Sequence, residues 1–466
     1  MWRPAAGKFT GQVKRRTALH HPDQSPNQET PLSTLIPPVA ASNSAASNAL
    51  YSRVMWRFMP LLFLSYVVAY LDRVNVGFAK LQMLGDLHFS EAMYGFGAGI
   101  FFIGYFFFEV PSNLLLHKLG ARRWIARIML TWAVLSAATA YVTTPTMFYT
   151  LRFFLGVAEA GFFPGLVLYL TYWFPAHRRG KMTAFLMAGN PVSGIVGGPM
   201  SGYIMKSAAG HLGLAGWQWL FIIEAVPALI LGVVIFCFLD DRVEHAKWLS
   251  AGERAFIKSE IDAEANDKTH GTVRAIFRSG RVWLLCAILF GIVMGSYAIG
   301  FWQPTIIKGS GISDPFVIGL LTVIPYLAAL IAMLVVGKHA DKTRERRWHV
   351  VVPQCVAAAG FVICAFAGTN TPLAMLGLTC AAVGVITALP MFWALPTSFL
   401  GGTGAAAGIA LINSTGNLAG FFSPALVGWL RDLTHSLTPS LFVIAAALLT
   451  SAGLILTQLP AKVVNR

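Results

Sequence analysis

The sequence predicts an all-α membrane protein with twelve transmembrane helices in two pseudo-symmetric six-helix bundles. Three observations carry that expectation. First, of 466 residues 56% are hydrophobic and 12% charged, whereas soluble globular chains carry about 25% charge. Second, twelve apolar stretches are long enough to cross a hydrocarbon layer about 30 Å thick, which takes roughly 20 residues at 1.5 Å each. Third, polar signals in the first half return in the second at a nearly constant offset. The composition excludes a cytosolic enzyme with several cores. It equally excludes a disordered chain, which needs low hydrophobicity and high charge.

The predicted spans are 58–84, 95–117, 124–142, 147–172, 183–204, 218–239, 282–306, 317–337, 349–367, 373–395, 404–428 and 438–459. Each must be helical, because lipid offers no partner to free backbone groups. An even number places both termini on one side. Of the 35 Lys and Arg residues, 29 fall in the tail, the even-numbered connections and the C-terminus. The positive-inside rule makes that side the cytoplasm of a multi-pass inner-membrane protein. The same distribution accounts for the net charge of +15 without a nucleic-acid partner.

The expected organisation is a disordered cytoplasmic tail (1–50), a first bundle (51–239), a central cytoplasmic loop (240–281) and a second bundle (282–466). The tail is rich in Pro, Ser, Ala and Asn and has no signal-peptide core. An over-long gene start, with Met55 as initiator, is another reading of it. Around Trp248 the central loop suggests a short surface helix. Cys237, Cys286, Cys355, Cys364 and Cys380 lie in apolar runs without metal spacing, so neither a metal nor a cofactor is expected. The partners expected are the bilayer and a small solute, and the chain is expected to be a monomer.

Charges inside spans are costly, about 2.5–3.5 kcal/mol each at bilayer centre, and need a partner or a wet cavity. Asp72 and Arg73 lie in span one, Glu109 in span two, Arg152 and Glu159 in span four, and Glu224 in span six. The interiors of spans seven to twelve hold no Lys, Arg, Asp or Glu; their polar groups are neutral, including Tyr297, Gln303, Tyr326, Trp393, Asn413 and Asn417. Tyr66, Tyr70, Arg73, Gly77 and Lys80 recur at helical spacing, so they share one face. Arg152 and Glu159 share a face too, about 10 Å apart along the axis, so each needs a partner elsewhere or a ligand between them. A guanidinium matches a carboxylate with two parallel hydrogen bonds. Arg73 and Arg152 are therefore candidate anion binders, with Asp72 and Glu159 as candidate proton carriers. A fixed ion-pair cluster is the competing reading. Glu109 and Glu224 suit a structural or gating role. Lys80 is expected to snorkel outward. Asn413 and Asn417, one turn apart, suit either ligand contact or hydrogen bonding between helices.

The loop after span two reads Asn113-Leu-Leu-Leu-His117-Lys118-Leu-Gly120-Ala-Arg122-Arg123. At offset 224, the loop after span eight reads Gly337-Lys-His-Ala-Asp341-Lys342-Thr-Arg344-Glu-Arg346-Arg347. Gly198-Pro199 and Ser423-Pro424 repeat at offset 225. Two related halves stacked about a central site are a transporter plan.

The Gly337…Asp341-Lys342…Arg346-Arg347 loop resembles the cytoplasmic signature of the major facilitator superfamily, from which the first copy departs with Asn113 and His117. With Tyr70-Leu-Asp72-Arg73-Val-Asn75, Glu109-Val-Pro-Ser-Asn113, Arg152…Gly156…Glu159-Ala-Gly161-Phe-Phe-Pro164, Phe301-Trp302-Gln303-Pro304 and Gly408…Asn413…Gly416-Asn417, the chain from about residue 50 resembles the anion:cation symporter family. The resemblance implies proton-coupled import of tartrate, phthalate, 4-hydroxyphenylacetate, a sugar acid or allantoate. It places Asp72-Arg73 and Arg152…Glu159 at positions for anion recognition and proton coupling, and Tyr70, Tyr105 and Asn190 at substrate contacts. Asp341, Arg344, Glu345, Arg346 and Arg347 are expected to form cytoplasmic salt bridges that help close the outward-open state, with Gly337 and Glu109 as further gating positions; a role in topology alone is the competing reading. A tartrate-like hydroxydicarboxylate is the first expectation and an aromatic carboxylate the second. A carboxylate exchanger of the same fold is the alternative. A membrane enzyme is the rival class, but no nucleophile–base set or metal cluster supports it.

Overall fold

The structure is a computed structural model that describes residues 38–265, 278–399, 402–461 and 465. The chain divides into two units, Met1–Ala49 and Leu50–Arg466. Most of the predicted tail, residues 1–37, and residues 266–277 of the central loop lie outside the described residues. Helix α1 (Pro38–Val74) starts within the predicted tail.

The second unit is all-helical among the described residues. α2 (Val76–Leu87) continues α1 past a one-residue interruption at Asn75. α3 (Glu91–Leu119), α4 (Ala121–Ala138), α5 (Pro145–Glu159) and α6 (Phe162–Thr171) follow. α7 (Ala176–Met187), α8 (Gly189–Ser207) and α9 (Gly216–Phe238) complete the first half, and α10 (Ala251–Ala265) lies in the central connection. The second half comprises α11 (Gly280–Gly309), α12 (Pro315–Thr343), α13 (Arg347–Ala367), α14 (Thr371–Phe392), α15 (Ala394–Phe399), α16 (Gly402–Thr434) and α17 (Thr438–Gln458). Ten helical segments among the described residues are long and apolar enough to cross a membrane. The other two predicted spans are helical as well. They are α8 and α16, where Gly, Ala and Ser replace large apolar residues and lower the hydropathy.

Helix starts follow side-chain chemistry. Ser90, Thr144, Asp314 and Asn370 each accept a backbone N–H in the first turn of α3, α5, α12 and α14, which meets donors a helix start leaves unpaired. These four caps lie on one face of the bundle, called here the far face. The connections at 119–121, 172–175 and 344–346 lie on the opposite, basic face. α5 stops directly after Glu159, because Ala160 turns extended and Gly161 takes φ +81°. A Cβ on Gly161 would stand 2.6 Å from the Ser112 hydroxyl, so glycine is required there for both reasons.

The internal repeat is visible in the helices. α3 and α12 each have 29 residues, and they start and end 224 positions apart. α8 packs against α12 and α3 against α16, which are two copies of one contact under exchange of the halves. Both crossings are too close for side chains. A Cβ on Gly95 would lie 2.2 Å from the Pro424 carbonyl oxygen, and one on Gly202 2.3 Å from that of Pro315. Small residues at such crossings let helix backbones meet in a membrane.

Candidate functional site

The intramembrane charges of α1 and α5 converge. An Arg73 guanidinium nitrogen donates to Glu159 at 2.9 Å. The Arg73 side chain is 12% exposed and Glu159 is fully enclosed, so the arginine is the member of the pair that borders open space. Aromatic rings surround it. Its carbon Cζ lies 5.8 Å from the Tyr70 ring, 5.1 Å from Phe101 and 5.2 Å from Tyr105. Tyr297 of α11 reaches the same guanidinium from the other half.

Arg152 is completely buried. Its guanidinium stands 5.1 Å from the Phe101 ring, as Arg73 does, and makes a long 3.5 Å contact to the Ala98 carbonyl. Nε and Nη1 of Arg152 find no hydrogen-bond acceptor. Asp72, also fully buried, turns away from Arg73. It accepts from the Ser136 hydroxyl of α4 and, at 3.4 Å, from the Asn75 amide. The two adjacent charges of span one therefore serve different neighbours.

A narrow cavity between the halves is lined by Tyr70, Asn190, Ser296, Tyr297, Tyr326 and Ile386, among others. Tyr70 and Asn190 thus face the same space, while Tyr105 is 3% exposed and packs on Arg73 and Phe101. Asn413 donates to Glu109 Oε1 at 2.8 Å, and the Ser414 hydroxyl to Oε2 at 3.2 Å. Glu109 therefore joins α3 to α16, and the Asn413 amide points at that acid. Asn417 is half-buried one turn further along α16. On the basic face Asp341 accepts from Arg346 at 2.8 Å. Arg344 ends α12 at φ +53°, and Gly337 is half-buried beside Met391.

Lys80 does not snorkel. It is 4% exposed, pairs with Glu91 at 2.6 Å and stands 3.5 Å from the Trp302 ring centre. Glu91 also meets Arg431 at 3.1 Å, and Asp432 accepts the Glu91 and Ala92 N–H groups at 3.0 and 2.8 Å. Beside them Lys206 bonds Asp314 and holds its carboxyl below the usual carboxylate range. Charged contacts between the halves thus close the far face. Sequence reasoning missed this seal because its members come from loops and from both halves. Tyr297 was legible as a polar residue in an apolar helix, but not as a partner of Arg73.

Two related helical halves in a membrane, with a buried ionic core beside a cavity at their junction, define a secondary transporter of small solutes rather than an enzyme. Residues 62–424 match the Major Facilitator Superfamily, and the chain belongs to it. It is 49% identical over 423 residues to the putative metabolite transport protein NicT of Pseudomonas putida, spanning 90% of this chain and 96% of that one. It is 48% identical over 422 residues to a putative tartrate transporter of Agrobacterium vitis, spanning 89% and 93%. Among solved structures it shares the fold of the inward open xylose transporter XylE from E. coli, with TM-score 0.71 and 16% identity over 87% of this chain and 96% of that one.

Proposed function

We propose that the protein imports an organic carboxylate together with protons by alternating access, with the basic face in the cytoplasm. The observation that carries this reading is the unequal pairing in the core: Arg73, behind the cavity-lining Tyr70, shares its guanidinium with Glu159, and Arg152 has guanidinium donors without acceptors. A carboxylate entering among Tyr70, Tyr297 and Tyr326 meets Arg73 first. Guanidinium–carboxylate pairing is strong and bidentate. The incoming anion therefore competes with Glu159 for it. Glu159, losing its partner in a medium that disfavours isolated charge, is neutralised by a proton. Anion arrival and proton uptake are linked through one side chain. The tyrosines suit either hydroxyl groups or an aromatic ring on the substrate. The name of the Agrobacterium vitis relative supports a tartrate-like hydroxydicarboxylate as first choice.

The test is uptake of radiolabelled tartrate, phthalate and 4-hydroxyphenylacetate into proteoliposomes, with and without a protonophore. Saturable accumulation that the protonophore abolishes is expected for one of them. Counterflow that ignores the proton gradient would make the protein an exchanger and sink the symport reading.

A further inference from the structure

Glu224, on α9, is an enclosed acid for which carboxylate transport as described has no use. It is 1% exposed. Its Oε1 accepts the Ser201 hydroxyl of α8 at 2.6 Å. The Asn75 amide, which donates to Asp72, bears on Glu224 as well. From the elements packed against it, Glu224 faces Asp72 of α1, Asn75 at the α1–α2 junction and Ser201 of α8. α2, α4 and the Thr139–Tyr141 turn, which also pack on α9, bring no charged group to it among the described residues. The charge that acts on Glu224 is therefore another acid.

Three oxygens in this cluster, Asp72 Oδ2, Asn75 Oδ1 and Glu224 Oε2, are buried without a hydrogen-bond donor. Two neighbouring carboxylates in a low-dielectric interior cannot both stay ionised, and the usual relief is that one holds a proton. A protonated Glu224 also supplies a donor where the cluster lacks one. Access exists. A second narrow cavity is lined by Asn75 and Ser201 together with Gln303, Thr322 and Tyr326. It shares Tyr326 with the central cavity.

We propose that Glu224 is a second proton-binding site of the transporter, coupled to Asp72 through Asn75. An O–H bond forms on its carboxylate with a proton taken from hydronium in the adjoining cavity, leaving water. Asp72 also faces Glu159 and Arg152 of α5; against that background, Asp72 ionises more readily when Glu224 is neutral and retains its proton when Glu224 is ionised. The proposal deepens the proton-coupled reading and rests on it for its role in transport.

The experiment is infrared difference spectroscopy of the purified full-length protein in liposomes during pH jumps, without any carboxylate substrate. The wild type is expected to show carbonyl-stretch bands of at least two protonated carboxyl groups. Glu224→Gln removes one and displaces another, and the displaced band is the one lost in Asp72→Asn. Asn75→Leu keeps both bands but ends their mutual displacement. Should Glu224→Gln fail to fold, Ser201→Ala keeps the acid, frees its Oε1 and shifts the Glu224 band. A Glu224→Gln spectrum that superimposes on the wild type overturns the proposal, as does a Ser201→Ala spectrum with no shifted band. Bands that vanish in sodium chloride but persist in choline chloride at the same pH overturn it too, because the oxygens would then bind sodium. Failure of proton-driven tartrate uptake with the Glu224 band present would count against the transport reading alone.

Discussion

At the far face, Lys80 lies against Glu91, Glu91 against Arg431, and Lys206 against Asp314. Every charge in that chain touches an opposite one. In the core, Arg73 and Glu159 form one direct pair, while Asp72 is held by a serine and an amide and Arg152 by a backbone oxygen at the limit of hydrogen bonding. Both clusters are built from similar residues. In the far-face cluster each of these charges has an ion-pair partner without a ligand, so it can serve as a latch. In the core cluster, donors and acceptors are left over. Burying charges in that condition is costly, and a guest anion with a proton would relieve it. On the proposed reading, pairing, rather than the presence of charge, separates a closure from a binding site.

Removing Arg152 is the sharpest way to break that contrast. Truncating a buried charged partner costs about 3–5 kcal/mol, so Arg152→Ala is expected to lower substrate affinity on the order of 100-fold or more. Equilibrium binding of labelled tartrate to the purified variant checks this. Near-normal affinity would mean that Arg152 belongs to a fixed scaffold. Next in size is Glu159→Gln, which keeps shape and removes the titrating group. Accumulation against a gradient should be lost while counterflow continues. Accumulation that persists unchanged would take Glu159 out of proton coupling.

Much of the fold was legible, because lipid forces long apolar runs and duplication leaves an offset. The repeat between Asn113…Arg123 and Gly337…Arg347 already gave the 224 positions that separate α3 from α12. Which charges lie inside the membrane was legible as well. Their partners were not. Periodicity gives the face of a helix, but whether Arg73 meets Glu159 or Asp72 depends on how α1, α3, α4 and α5 pack. That packing turns on contacts such as Gly156, where a Cβ would lie 1.9 Å from the Phe101 carbonyl oxygen. Lys80 shows the same limit. Its snorkelling was the sensible expectation for a lysine near a span end, but Glu91 from the next helix and Trp302 from the other half hold it inside. The break at Gly161 was hidden within an even apolar run.

The far-face latch yields a third and a fourth test, both read by thiol labelling of Gln303→Cys in a background without native cysteines. Gly95→Val would place bulk where even a Cβ meets the Pro424 carbonyl oxygen at 2.2 Å. The α3–α16 crossing must then separate, and labelling from the far face should rise on the order of tenfold, as overpacking by about 1–3 kcal/mol implies. Glu91→Gln removes the carboxylate shared by Lys80 and Arg431. Because Glu91 keeps a partly exposed side chain, solvent screening reduces the loss. A rise of roughly threefold to fivefold is expected, corresponding to about 1 kcal/mol. No change in either variant would show that the two halves are held together elsewhere.

The smallest effect is expected on the basic face. The Asp341 side chain is 75% exposed and that of Arg346 27%, and both belong to the second half. Exposed pairs contribute about 0.2–1 kcal/mol and are screened by salt. Arg346→Ala should therefore change transport less than about fivefold, and the difference from wild type should shrink further as ionic strength rises. If Arg346→Ala instead matched the loss caused by Arg152→Ala and ignored salt, the loop would be forming a buried contact in the opposite, far-face-open state. The unpaired core would then have to share its role with a pair that is exposed in one state and enclosed in the other. Thiol labelling of Arg346→Cys with and without bound tartrate separates the two outcomes, because only an alternating contact changes its accessibility when the far face opens.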